Sequence, residues 1–136
     1  MVVNTEIECF DSINVAYYYQ KKRSLIMRFP PTTVRLPSEL DDQITQLGLK
    51  LGFTKTELIK AAVLRQLATN NLSNFEEIKV GSGDFKRTGI RFNNTFKQLL
   101  QHQAKQQGVS VNSLIIYATN KTYEYYSKLL AELGLK

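Results

Sequence analysis

The residues with chemistry to offer in this chain are arginines set in short alternating runs. Thr33-Val34-Arg35-Leu36-Pro37-Ser38 places Arg35 between two aliphatic residues, and Gly89-Ile90-Arg91-Phe92-Asn93-Asn94 places Arg91 between two apolar ones. Arg87 and Gly89 precede Arg91 at two-residue steps. A guanidinium is permanently charged and presents a planar fork of N–H donors, so it suits recognition of anions and acceptor-rich surfaces rather than proton transfer. Other reactive types are sparse. His102 has no second His or Cys nearby and reads as a solvent-facing residue. Cys9 is the only cysteine, so neither an intramolecular disulfide nor a cysteine-based zinc site fits. Gly81-Ser82-Gly83 lacks the Lys-Ser/Thr that would make it a phosphate loop. With no nucleophile–base pair and no metal-ligand spacing, neither catalysis nor a cofactor is expected.

The charge balance agrees with an anionic partner. Net charge is +6 and the pI is about 9.5. The excess is uneven: residues 86–128 hold seven Lys/Arg against Glu124 alone, whereas residues 32–71 hold five basic and four acidic side chains. No apolar run is long enough for a bilayer, and Glu6, Glu8 and Asp11 stand where a signal peptide needs an apolar core. A cytoplasmic protein with no membrane partner is expected.

The elements that must position the arginines follow from periodicity. Pro30-Pro31 fixes an extended backbone and blocks helix. Thr32 to Leu36 then reads as a strand, with Val34 and Leu36 on one face and Thr33 and Arg35 on the other. Pro37 ends it, and Ser38 is the expected N-cap of a helix whose first turn carries Glu39, Asp41 and Asp42. Leu40, Ile44, Leu47 and Leu51 form one stripe, and Gly52 closes that helix. Thr54 and Glu57 have capping-box spacing at the start of a second helix, which buries Leu58, Ile59, Ala62, Val63 and Leu67 and stops at Asn70-Asn71.

The whole unit occurs twice. At an offset of 56 positions (90 − 34), Val34, Leu36, Leu40, Ile44, Gly52, Thr54, Leu58, Ile59 and Ala62 match Ile90, Phe92, Phe96, Leu100, Gly108, Ser110, Leu114, Ile115 and Ala118. A turn glycine, a hydroxyl cap and a core stripe shared at one offset indicate an internal duplication. The second strand is therefore expected at residues 88–92. Leu47 and Leu51 become Gln103 and Gln107, which predicts a wetter far end for the first helix of the second copy. Tyr117, Tyr123, Tyr125 and Tyr126 read as core and rim packing. The expected organisation is a leader or basic arm at 1–28, a first unit at 29–71, a linker at 72–85, a second unit at 86–130 and a tail at 131–136. The expected fold is mainly helical with a two-stranded antiparallel ribbon, because one strand and two helices cannot bury these stripes alone.

The strand T-V-R-L-P, followed by L-x3-I-x2-L-x3-L-G-F-T-x-T-E-L-I, resembles the ribbon–helix–helix family of Arc- and MetJ-like DNA binders, over about residues 31–70 and again 86–126. The tandem layout is similar to that of TraY-type proteins of conjugative plasmids. The resemblance implies an intrachain pseudo-dimer whose ribbon enters the DNA major groove. Its outward face would read bases through Thr33 and Arg35, with Pro31 at the outer position, and through Arg87, Gly89 and Arg91. Arginine forks suit guanine O6 and N7, and Gly89 would let the backbone come close. The helix starts Thr54-Lys55-Thr56 and Ser110-Val111-Asn112 would hold phosphates. The expected partners are double-stranded DNA and a relaxase or other DNA-processing protein, with further association of copies on DNA left open. The expected role is plasmid transfer at an origin, promoter repression, or both. Two alternatives stand beside it: an antitoxin that binds its operator and a toxin, for which only residues 131–136 remain after the last helix, and a structural dimerisation module.

Overall fold

The computed structural model describes residues 30–70, 72, 75 and 84–135. The leader, Gly81-Ser82-Gly83 and most of the linker expected from the sequence lie outside these residues. Within them the chain forms β1 (Thr32–Pro37), α1 (Ser38–Leu51), α2 (Lys55–Thr69), β2 (Phe85–Ile90), α3 (Asn94–Gln107) and α4 (Val111–Glu132). The protein is thus mainly helical, four helices with one two-stranded antiparallel sheet. No helix among the described residues is long and apolar enough to cross a membrane.

The register runs from Thr32 opposite Ile90 to Pro37 opposite Phe85. Thr33 faces Gly89, and these are the positions that the 56-residue offset makes equivalent. Sequence placed the second strand at 88–92, but β2 ends at Ile90 and begins three residues earlier. The prolines explain the shift. Continuing the ladder past Thr32 would set Pro31 against Arg91 and Pro30 against Phe92, and Pro30, whose N would face β2, has no N–H to give. The ladder extends in the other direction instead, where Arg35, Leu36 and Pro37 meet Arg87, Lys86 and Phe85.

Val34, Leu36 and Ile90 are fully buried beneath the sheet. They pack with Ile59 and Val63 of α2, Leu100 and Ala104 of α3, and Leu114, Ile115 and Ile116 of α4. Each such aliphatic side chain contributes roughly 1.5–3 kcal/mol by leaving water, so the ribbon is held by the helices rather than by its own ladder. A second cluster joins Ile44, Leu47 and Leu58 to Leu130, with Leu51, Tyr123 and Tyr126 against it. The aromatic residues near the end of α4 therefore pack largely as core and rim, as their spacing suggests, and Tyr125 remains 46% exposed.

The two halves differ where their last helices differ. α4 has 22 residues and α2 has 15. The extra turns of α4 carry Tyr126 and Leu130 onto Leu47 and Leu51. α2 stops at Asn70 in a left-handed cap, so the matching end of α3 meets the last turn of a helix instead of further apolar turns. Gln103 is buried there, correcting the expectation of a wetter end, and its Nε2 donates to the carbonyls of Gln66 and Leu67 at 3.4 Å each. Gln107 Nε2 donates to Asn70 Oδ1 at 2.9 Å. The two glutamines thus bind the end of a shorter helix, Gln103 through long bonds to its carbonyls and Gln107 through the Asn70 side chain.

Gly52 and Gly108 sit at φ 79° and 68°, the left-handed caps that only glycine adopts cheaply. Ser38 is a correction. α1 begins at Ser38 with Pro37 as N-cap, and Ser38 Oγ is buried without a partner. The Ser38 N–H donates to the Asp84 carbonyl just ahead of β2, which turns the chain one residue early. At the equivalent place Asn93 caps α3, accepting from the Phe96 N–H at 2.8 Å.

Candidate nucleic-acid interface

The sheet's outer face is built by alternation. With Val34, Leu36 and Ile90 turned inward, the intervening Thr33, Arg35, Arg87 and Gly89 face outward. Thr33, Arg87 and Gly89 are exposed and Arg35 is half-buried. Arg35 and Arg87 lie directly opposite each other. Among the described residues no carboxylate lies within ion-pair range of either. Like charges directly opposite on one sheet face repel, so this pair costs stability in the free protein.

The backbone at Arg35 explains how close the pair is. The Arg35 N–H donates to Asn112 Oδ1 at 2.8 Å, and Asn112 Nδ2 donates to the Arg35 carbonyl at 3.0 Å. Both groups therefore point away from β2, which makes Arg35–Arg87 a non-hydrogen-bonded pair, the kind whose Cα atoms approach to about 4.5 Å. Asn112 occupies the free edge of β1 as a further strand would, and blunts it.

Gly89 also has a packing reason within the fold. Pro31 lies over it, where a Cβ would come within 3.3 Å of the proline Cβ. The missing side chain makes room for Pro31. Arg91 lies one residue past the end of β2, exposed but outside the ladder, and it has an interaction of its own. It lines a shallow groove with Lys60, Leu64, Phe92 and Phe96.

The two helix starts singled out by sequence are formed as capping chemistry predicts. Thr54 Oγ1 accepts from the Glu57 N–H at 3.1 Å while Glu57 Oε1 accepts from the Thr54 N–H at 3.0 Å. That second bond, from the Thr54 backbone, holds the exposed Glu57 carboxyl below its ordinary range. Ser110 Oγ accepts from the Ser113 N–H at 3.0 Å. The side chains next to these caps are less available. Lys55 Nζ bonds Asp41 Oδ2 at 3.1 Å, and Asp41 is 4% exposed, so this lysine neutralises an interior carboxylate. Thr56 is half-buried, and Val111 packs against the core. Asn112 is engaged at the strand edge, which brings the start of α4 against β1 beside Arg35.

Sequence reasoning missed three of these roles. Asn112 lies 77 positions from Arg35, and a lone Asn near a helix start carries no sign of such a clamp. Lys86 reaches Asp42 Oδ1 at 2.6 Å, and that hydrogen bond raises the lysine above its usual range. The Lys55–Asp41 pair has no counterpart in the second copy, where the matching positions are Val111 and Lys97, so the duplication hid it. Comparison of the chain with protein-family models, with curated proteins and with solved structures gives no match.

Proposed function

We propose that this chain is a sequence-specific double-stranded DNA-binding protein of the ribbon–helix–helix kind, with both halves in one polypeptide, that lays the β1–β2 ribbon in the major groove. The observation that carries the reading is the strand register. It pairs the two copies at equivalent positions, Thr33 with Gly89, and stacks Arg35 beside Arg87 on the outer face with no carboxylate to neutralise them. Two guanidiniums held side by side at a cost to the free protein suit a surface rich in acceptors, and guanine O6 and N7 supply such a surface. The start of α4 beside β1 adds N–H groups and a positive dipole end for a flanking phosphate.

The register also shapes the expected DNA site. One side of the Thr33–Gly89 pair carries Arg35 and Arg87; the other carries Pro31 and, beyond the ladder, Arg91. The duplex is therefore read asymmetrically, with guanine-directed contacts concentrated in one half-site. Occupancy of such a site serves either a plasmid transfer origin, where a relaxase or other DNA-processing protein acts nearby, or a promoter. Selection of duplexes from a random pool, followed by fluorescence anisotropy on the selected site, tests the proposal. Arg35→Ala and Arg87→Ala should each lose roughly tenfold or more on that site by removing a bidentate base contact. Base preference should relax at one or two positions of one half-site. Equal losses on selected and random duplexes, or no enrichment at all, would reject base reading by this face.

A further inference from the structure

We propose that the groove between α2 and α4 is a docking site for an acidic segment of a partner protein. The groove has a volume of about 400 Å³ and includes none of the ribbon residues. None of its lining residues belongs to the core cluster that the ribbon covers. A duplex held by the ribbon side chains would therefore use none of its lining residues.

Its chemistry is that of a carboxylate receptor. Arg65, Lys121 and Lys128 line it against Glu124 as the one acid. Glu124 offsets little, because its 3.8 Å pair with Lys121 is exposed on both sides. The Arg65 guanidinium lies 4.1 Å above the Tyr125 ring, and no carboxylate among the described residues pairs with it. Stacking on an aromatic face orients a guanidinium and leaves its edge N–H groups free for a bidentate carboxylate. Lys121 lies 5.5 Å from the Tyr117 ring, which also packs on Phe75 at 5.6 Å. Lys121 and Lys128 are seven residues apart on α4, about 10 Å along the axis. Acidic side chains two or four residues apart share one face of an extended peptide and stand roughly 7 or 13 Å apart, which brackets that spacing.

The same features disfavour a nucleic acid. Base stacking needs open aromatic faces, and both tyrosines here already carry a cation and a second ring, Phe75 beside Tyr117 and Tyr126 beside Tyr125.

Fluorescence anisotropy on the full chain tests the assignment independently of DNA reading. The probe is a labelled peptide of alternating glutamate and leucine; the controls are its glutamine counterpart and a labelled single-stranded oligonucleotide of equal length. The acidic peptide should bind saturably and the glutamine peptide should not. Arg65→Ala should weaken it roughly tenfold, the loss of one charge-assisted pair, and Lys121→Gln by several-fold. Arg35→Ala should leave peptide binding unchanged, and so should added duplex from the selection. Far-UV circular dichroism checks that the variants remain folded, and Lys128→Gln replaces any that does not. The assignment is overturned by absent or glutamine-tolerant binding, by indifference to the groove variants, by loss in Arg35→Ala, or by an oligonucleotide that displaces the peptide in an Arg65-dependent way.

Discussion

Replacing Asn112 by alanine removes two hydrogen bonds at once, because its carboxamide holds both backbone groups of Arg35 at 2.8 and 3.0 Å. Each is part-buried and contributes about 1 kcal/mol net, and alanine returns about 0.5 kcal/mol through its better helix propensity. The expected net loss is about 1.5 kcal/mol, a sizeable share of a total stability on the order of 5–15 kcal/mol. Urea unfolding followed by far-UV circular dichroism, with linear extrapolation, measures it. The internal control is Thr56→Ala, at the equivalent position of the first copy, which should stay within about 0.5 kcal/mol of the parent. An Asn112→Ala loss no larger than that of Thr56→Ala would refute the claim that Asn112 clamps the edge of β1. If the clamp also sets the angle of Arg35, Asn112→Ala should weaken binding to the selected duplex although Asn112 itself contacts no base.

Arg35→Ala and Arg87→Ala should leave unfolding stability unchanged or raise it by a few tenths of a kcal/mol, since each relieves a like-charge cross-strand pair; a loss above about 1 kcal/mol would mean that the arginines are structural. Lys55→Met leaves Asp41 charged in the interior and should cost about 2 kcal/mol, with Asp41→Asn in the same chain recovering much of it; additive losses in that double-mutant cycle would show that the pair does not couple. Gln103→Leu should be neutral or stabilising, because the two bonds it loses are long and the buried Oε1 it removes has no partner. The capping box predicts a pH dependence. Glu57 is held below its ordinary range in the folded chain, so its contribution is complete above its unfolded pKa and is lost as pH falls through the folded one. Acid titrations of stability for the parent and Glu57→Gln should converge at low pH and separate as pH rises through the carboxylate range.

What could be read from residues alone was what depends on neighbours in the chain. Gly52, Gly108, Thr54 with Glu57, and Ser110 are terminators and caps whose chemistry lies within four residues, and all behave as expected. The inward positions Val34, Leu36, Ile90 and Phe92 followed from a two-residue period. The strand boundary failed because it depends on which residue lies across the sheet, and the prolines act on a partner far away in sequence. Gln103 was misjudged because its carbonyl partners exist only where α2 stops short. Lys55 was assigned only to a phosphate-holding helix start because its partner Asp41, 14 positions away, read as an acid of another helix's first turn. In each case a residue type was read correctly and its partner was not visible.

The two strands belong to one polypeptide, and 56 positions separate Thr33 from the Gly89 it faces (89 − 33). Closing that loop is an internal event, so dilution does not pull the strands apart. The readiness of this surface is then set by folding, and the number of ready molecules rises in direct proportion to the number synthesised. A ribbon assembled from two separate chains would instead vanish at low abundance, as the square of the amount present.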